Sequence, residues 1–143
     1  AFLEEKRSWI LASRERMARK RAALPPQLPS GEQRERIEAL RRAAKADLPE
    51  RIARLSAATG LRYAKLSIRA SRTKWGSCSG RNHISLSLFL ITLPEHLRDY
   101  AILHELCHTV HHNHSPRFHA LVDRLTGGRE KALNRELRGY AIR

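Results

Sequence analysis

The chain has 143 residues, the length of one ordinary domain, and no apolar run near the roughly 18 residues of a membrane-spanning helix. Its 28 Lys and Arg against 14 Asp and Glu give a formal charge of +14, which favours polyanionic partners such as nucleic acid or nucleotides. Two cysteines cannot form a disulfide framework, so we predict a protein of the cytoplasm with no membrane association.

The N-terminal part is predicted to be helical and basic. Residues 1–24 show a sparse apolar stripe typical of a helix, and residues 25–31 contain three prolines and a glycine that predict a linker. A second helix over 32–60 has apolar residues at spacings of three and four, and Pro49 should kink or divide it. Residues 61–143 complete a single domain as its catalytic core. The chain begins at Ala1 rather than at methionine, which is consistent with truncation at the N-terminus.

Two short strands are predicted next, over 66–70 and 84–91, where apolar and polar residues alternate. Gly76, Gly80 and Asn82 lie between them and indicate turns, so we expect an antiparallel pair. An antiparallel pair beside the catalytic helix could bind an extended peptide as an additional strand.

Three helices are predicted in the C-terminal part. Thr92 and Glu95 have the spacing of a capping box, with Pro94 in the first turn, and the helix that follows is apolar on two sides, which predicts a buried helix. Ser115 should cap a further helix that begins at Pro116 and ends at glycines 127 and 128. A last short helix is expected over 131–140.

The buried helix carries the pattern His-Glu-x-x-His at residues 104–108. Histidines four residues apart share one helix face, where both imidazoles can bind one zinc ion. Glu105 would lie at the flank of that face, where its carboxylate can take a proton from water activated by the metal. The pattern therefore predicts a zinc-dependent hydrolase.

A catalytic zinc ordinarily has three protein ligands, so a third must be found beyond the helix. His111 would extend the same straight helix and place its ring about 4.5 Å too far along the axis, and His112 would point away. His114 follows Asn113, which can adopt the left-handed conformation that turns the chain back. We therefore expect His114 as the third ligand, with His119 as the next candidate. The distant acids considered were Asp123, Glu130 and Glu136.

Four segments closely resemble the YgjP-like metallopeptidase domain: TKWGSCS at 73–79, NHISL at 82–86, HELCH at 104–108 and NHSPRF at 113–118. That family is similar to the SprT-like proteases, which act on proteins crosslinked to DNA. The resemblance runs from about Phe2 to the C-terminus and implies zinc ligands His104, His108 and His114, with Glu105 as the general base. His119 stands where family members usually have tryptophan, and the small β-rich region with which they usually begin is missing.

These observations predict an α+β, zincin-like fold in which a small antiparallel sheet packs against the helix with the His-Glu-x-x-His motif, with additional N-terminal helices. The predicted function is a zinc metallopeptidase that acts on a peptide or protein substrate, including nucleic-acid-associated proteins. The group that stabilises the oxyanion stays open among His111, His119, Tyr140 and a nearby arginine.

Two alternative functions remain. In the first, the same metal site hydrolyses nucleotide phosphoanhydrides, with Arg72, Lys74, Arg81 or Arg117 binding phosphates; a YgjP-like member is described as a nucleotide pyrophosphatase. In the second, the chain is a zinc-stabilised module that binds nucleic acid through its basic surface. The sequence does not predict an oligomeric state.

Overall fold

The computed structural model describes residues 30–143, and the predicted helix over 1–24 and nearly all of the linker lie outside this range. The fold is α+β, as predicted. Its α-helices are α1 (Ser30–Thr59), α2 (Glu95–Cys107), α3 (Pro116–Leu125) and α4 (Glu130–Arg138). The strands are β1 (Lys65–Arg69), β2 (Gly76–Cys78) and β3 (His83–Ser87), and a short 3-10 helix covers Leu88–Thr92. Within residues 30–143, no helix combines the length and the apolar character needed to cross a membrane.

Helix α1 continues through Pro49, so the proline does not divide it in two. Proline lacks the N–H that would bond one turn back, which removes a hydrogen bond from the helix. Pro49 is exposed, whereas Leu48 and Ile52 on either side of it are fully buried. Core packing therefore holds the helix together across this position. Gly60, with a positive φ of 78°, follows the last turn.

The sheet is mixed, and the prediction of an antiparallel pair between the first and last strands is wrong. Strand β3 lies in the centre, parallel to β1 and antiparallel to β2. The segment predicted only as turns contains β2, whose Gly-Ser-Cys sequence has little strand propensity. The backbone of Trp75 just before β2 accepts a hydrogen bond from Ser87 N–H, which places β2 beside β3.

The predicted strand over 84–91 ends early, at Ser87. The Ser87 hydroxyl accepts a hydrogen bond from the N–H of Phe89 and thereby caps the 3-10 helix. The predicted capping box also does not form, because the Thr92 hydroxyl donates to the carbonyl of Phe89, while Pro94 is the N-cap of α2. The apolar residues of this stretch are buried in a helix rather than a strand.

Arg51 connects α1 to α2 through a cluster of carboxylates. Its guanidinium donates to Asp47 on its own helix and to Glu95 and Asp99 on α2, at 2.8 to 3.0 Å. The side chain of Arg51 is only 5% exposed, so these three carboxylates compensate for its burial. Hydrogen bonds from Arg51 lower the pKa of Asp47 and of Glu95, and those carboxylates in turn raise the pKa of Arg51.

The predictions for the last two helices are confirmed in outline. Ser115 is the N-cap of α3 and accepts a hydrogen bond from the N–H of Phe118, with Pro116 at the first position. Gly127 and Gly128 follow α3, and both have the positive φ that an L side chain rarely adopts. Helix α4 begins at Glu130 and ends at Arg138, close to the predicted range.

Candidate metal centre

Three histidines meet at the C-terminal end of α2. Ring nitrogens of His104, His108 and His114 all lie within 4.8 Å of one another. His104 and His108 are 2% and 3% exposed, and His114 is half-buried. Among residues 30–143, this is the one group of histidine, cysteine or acidic side chains with the geometry to hold a metal ion. The three residues predicted as ligands are therefore brought together by the fold.

Helix α2 ends at Cys107, one residue before the second histidine of the motif. His108 is the C-cap, and the next N–H groups form tight turns onto the carbonyls of Glu105, Leu106 and Cys107. His111 therefore does not extend the helix, and the prediction that it lies further along the same straight helix is wrong. Its backbone has a different role.

The backbone carbonyl of His111 accepts a hydrogen bond from Nδ1 of His108, at 2.9 Å. A carbonyl can only accept, so Nδ1 carries the hydrogen, and the lone pair of this imidazole is on Nε2. A hydrogen bond of this kind fixes both the tautomer and the orientation of a metal-binding histidine.

The chain returns from α2 to His114 without a left-handed residue. Among residues 30–143, the only non-glycine residue with a positive φ is Asn82, so the predicted conformation of Asn113 is wrong. Asn82 instead supports the loop from the sheet side, where its Oδ1 lies 2.8 Å from Nε2 of His112. Ser115 then caps α3 directly after His114. A contact with the β2–β3 turn and a helix cap together position the third histidine.

Phe118 packs among the three imidazoles. Its ring is stacked on His108, with centroids 4.2 Å apart, and meets the edges of His104 and His114 at 4.9 and 5.0 Å. Phe118 is fully buried. Phe118 is therefore the apolar residue against which all three imidazoles pack.

Glu105 is buried beside the cluster and faces β2. It is 3% exposed, and it lies in the last turn of α2 between the first two histidines of the motif. A β carbon built on Gly76 would lie 3.0 Å from Cγ of Glu105 and 3.2 Å from both Leu86 Cδ2 and the Ser85 carbonyl oxygen. The absence of a side chain at Gly76 thus permits the close approach of β2 to Glu105. From the sequence we interpreted this glycine only as a turn residue.

His119, the alternative ligand, belongs to a different pair. Its Nδ1 lies 2.7 Å from Oε2 of Glu130, the first residue of α4. The side chains are 24% and 10% exposed, so the pair is largely removed from solvent. The Glu130 N–H in turn donates to Asp123, and Glu136 pairs with His96. The distant acids considered as ligands thus have partners outside the histidine cluster.

The helix that carries the cluster is enclosed by apolar surroundings. Burial raises the pKa of the Cys107 thiol from 9.0 to about 12, and the negative charges of Glu130 and Glu105 add to the effect. Burial also raises the pKa of Tyr100, whose hydroxyl is hydrogen-bonded to the side chain of Asn134 on α4. Both groups therefore stay neutral near pH 7.

The donor set fits a divalent transition metal. Nitrogens bound at 2.0–2.1 Å in tetrahedral geometry are about 3.4 Å apart, a spacing within reach of imidazoles whose nitrogens already lie within 4.8 Å. Neutral imidazoles are ligands that zinc accepts readily, and three of them leave a coordination position for another group. The tautomer of His108, with its lone pair on Nε2, also suits metal binding.

One of three comparisons with known proteins found a match. A family model described as "YgjP-like, metallopeptidase domain" matches residues 22–139. Comparison with curated proteins and with solved structures found no match.

Proposed function

The chain belongs to the YgjP-like metallopeptidase family, and from this membership we propose that it hydrolyses peptide bonds at a zinc ion held by His104, His108 and His114. The observation that carries the proposal is the convergence of three imidazoles next to a buried glutamate. Family membership supports a hydrolase that uses a metal, and we propose zinc because three imidazoles are a donor set that catalytic zinc accepts.

When bound, zinc would supply a Lewis acid that polarises the scissile carbonyl and acidifies water. The protein's part is to hold the ligands in place. His108 is oriented by the carbonyl of His111, and the ring of Phe118 packs against the imidazoles. Burial around the cluster limits access of bulk water and strengthens local electrostatic interactions.

Glu105 is the proposed general base. It follows His104 directly in the last turn of α2, and its side chain is 3% exposed. In this role the carboxylate takes a proton from the attacking water and then transfers it to the leaving amine. The lack of a side chain at Gly76 permits β2 to lie close to Cγ of this glutamate.

The substrate would bind along β2. Within the described residues, β2 is an edge strand of the sheet, because it pairs with β3 on one side only. An edge strand offers backbone donors and acceptors to an extended peptide, which can pair as a further strand. Because β2 begins at Gly76 beside Glu105, a peptide on this edge would pass the proposed catalytic residue.

The proposal is tested with Glu105→Gln, which keeps the shape of the side chain and removes its basicity. We expect unchanged zinc content and a loss of cleavage of an unstructured protein of about 10²- to 10⁴-fold, the usual contribution of a general base. Zinc is measured by elemental analysis and cleavage by mass spectrometry of the products. Glu50→Gln, an exposed change on α1, is the matched control and should cleave like the unmodified chain.

Two results would overturn the proposal. One is full cleavage by Glu105→Gln. The other is release of pyrophosphate from nucleoside triphosphates with no cleavage of any protein, which would establish nucleotide hydrolysis instead.

A further inference from the structure

The two faces of the sheet differ in chemistry. Gly76 and its partner Leu86 are on the face that contacts Glu105. Because successive residues of a strand point to opposite faces, their neighbours point away from α2. In the middle of that outer face, Ser67, Ser85 and Ser77 are register partners across β1, β3 and β2. A row of three hydroxyls therefore crosses the sheet on the side opposite the candidate metal centre.

Cations lie beside this row on β1 and in the loop before β2. On β1, Lys65 and Arg69 lie two residues before and after Ser67, and both are exposed. Lys74 is exposed in the loop that leads to β2. From Leu61 to Pro94 the chain has six Lys and Arg residues and no Asp or Glu. No carboxylate of this segment competes for these cations.

A cleft of about 260 Å³ lies on this face, lined by Ser85 and Ser77 of the row and by Arg69 of β1. Its polar lining comprises two cations and four hydroxyl residues: Arg69, Lys74, Ser71, Ser77, Ser85 and Ser87. Two of the serine hydroxyls are hydrogen-bonded within the protein. The Ser87 hydroxyl donates to the Ser71 carbonyl, and the Ser71 hydroxyl accepts from the N–H of Lys74. Within residues 30–143, Ser77 and Ser85 make no side-chain hydrogen bond, and both are half-buried in the cleft. Their hydroxyls are available to a ligand.

We propose that this outer sheet face, defined by Lys65, Ser67, Arg69, Lys74, Ser77 and Ser85, binds the phosphodiester backbone of a single-stranded nucleic acid. In proteins that bind phosphate groups, lysine, arginine and hydroxyl side chains donate hydrogen bonds to the phosphate oxygens. The α carbons of Lys65 and Arg69 are four residues apart on one strand, or about 13 Å. A single phosphate does not span that distance, whereas successive phosphates of an extended strand do.

The contact would be independent of base sequence. Proteins that bind single strands by stacking present exposed aromatic rings to the bases. The three Phe, Trp and Tyr residues of segment 61–94 pack in the core instead, with Trp75 and Phe89 buried and Tyr63 partly buried against the core. The face therefore offers charge and hydroxyls to the backbone. The cleft is also lined by Gly76 and Leu86, but its cations and hydroxyls are on the face opposite Glu105, so the proposed site uses none of the proposed catalytic side chains.

The test is the binding of a fluorescent twelve-residue oligothymidylate to the full chain, followed by anisotropy at several salt concentrations. The triple variant Lys65→Gln/Arg69→Gln/Lys74→Gln should bind about tenfold more weakly at low salt. The slope of log affinity against log salt should become shallower by about 2, since each phosphate contact on a single strand contributes roughly 0.7.

A second triple variant provides a control with the same change of charge. Lys45, Lys131 and Arg135 are exposed on α1 and α4, and replacing all three with glutamine should weaken binding less than about twofold. Equal losses in the two triple variants would overturn the proposal, because they would show attraction to net charge alone. Equal affinity for inorganic phosphate and for the oligonucleotide would also overturn it, in favour of a single-phosphate site.

Two further variants separate hydroxyl contacts and catalysis from charge. Ser77→Ala/Ser85→Ala should weaken binding about two- to tenfold without a change in the salt slope, since no charge is lost. Glu105→Gln should bind the oligonucleotide like the unmodified chain. The absence of peptidase activity would therefore not contradict oligonucleotide binding, and the absence of oligonucleotide binding would not contradict peptidase activity.

Discussion

Gly76 lies so close to Glu105 that a β carbon at position 76 would be only 3.0 Å from Cγ of the glutamate. The same β carbon would meet a backbone oxygen at 3.2 Å, so β2 and α2 would have to separate or Glu105 would have to move. We expect Gly76→Ala to reduce protein cleavage by about 2- to 10-fold, because β2 or Glu105 must shift by a few tenths of an ångström, and a misplacement of about 1 Å can cost about 100-fold in catalysis.

Gly80→Ala is the control for Gly76→Ala. Gly80 lies in the turn after β2, and a β carbon there has no neighbour within 4 Å. The Gly80→Ala variant should cleave protein at the same rate as the unmodified chain when both are measured at saturating zinc. Equal activity of the two alanine variants would show that the contact with Glu105 has no catalytic importance.

Zinc should stabilise the fold through His104, His108 and His114. A ligand that binds only the folded state at 100 times its Kd adds about 2.7 kcal/mol to the free energy of unfolding. We expect Tm to rise on addition of zinc and to return on chelation. His114→Ala should abolish most of this rise, whereas His119→Ala should retain it, because His119 is paired with Glu130 outside the cluster. The opposite order of the two variants would make His119 the third ligand.

Arg51→Ala should lower the free energy of unfolding substantially. The change would leave Asp47, Glu95 and Asp99 without their shared cation at the α1–α2 contact. We expect a loss of about 2 kcal/mol, less than for a fully buried pair, because the three carboxylates keep contact with solvent. Urea unfolding measures the loss, and the exposed Arg42→Ala should change the free energy by less than about 0.5 kcal/mol.

Stability should also fall in acid because of the same cluster. Hydrogen bonds from Arg51 hold the pKa of Asp47 below 3.8 and the pKa of Glu95 below 4.5. Groups with a lowered folded-state pKa stabilise the protein above their ordinary pKa, and this contribution disappears as the pH falls through the folded-state pKa. We expect Tm to decrease below about pH 4.5, with a weaker decrease in Arg51→Ala. An identical acid profile in that variant would contradict this assignment.

The two cysteines should differ in reactivity. Cys107 is fully buried and its pKa is raised to about 12, so its thiolate is about a thousandfold scarcer at pH 8 than for a pKa of 9.0. Cys78 on β2 is half-buried. In native protein, iodoacetamide should modify Cys78 and leave Cys107 unmodified until denaturant is added, as peptide mass spectrometry can show. Rapid alkylation of native Cys107 would mean that α2 opens readily.

The convergence of the three histidines could be predicted because their spacing in the chain is local, and the catalytic role of Glu105 stays a prediction. His104 and Glu105 lie in the last turn of α2, His108 is its C-cap, and His114 follows after a short loop. The helix ends were predictable for the same reason where a cap residue marks them, as Ser115 does. Such signals act over a few residues, which is the range that a sequence pattern describes well.

The pairing of strands could not be predicted in this way. Strand β2 has almost no intrinsic preference for its conformation, and it becomes a strand because Trp75 and Ser87 bring it beside β3. The apolar run after Ser87 is equally compatible with a strand or a buried helix, and the Ser87 cap decides between them. The contact of Gly76 with Glu105 joins residues far apart in the chain, so only the folded structure shows it.

The hydrogen bond from His108 to the main chain at residue 111 has a consequence for tolerance to mutation. Every amino acid supplies a peptide oxygen, so replacing the side chain at this position leaves the acceptor itself in place. Insertion or deletion of one residue between His108 and residue 111 would move that oxygen and tilt the imidazole of His108. In this loop, the spacing of the chain is therefore constrained more tightly than the side chain at residue 111.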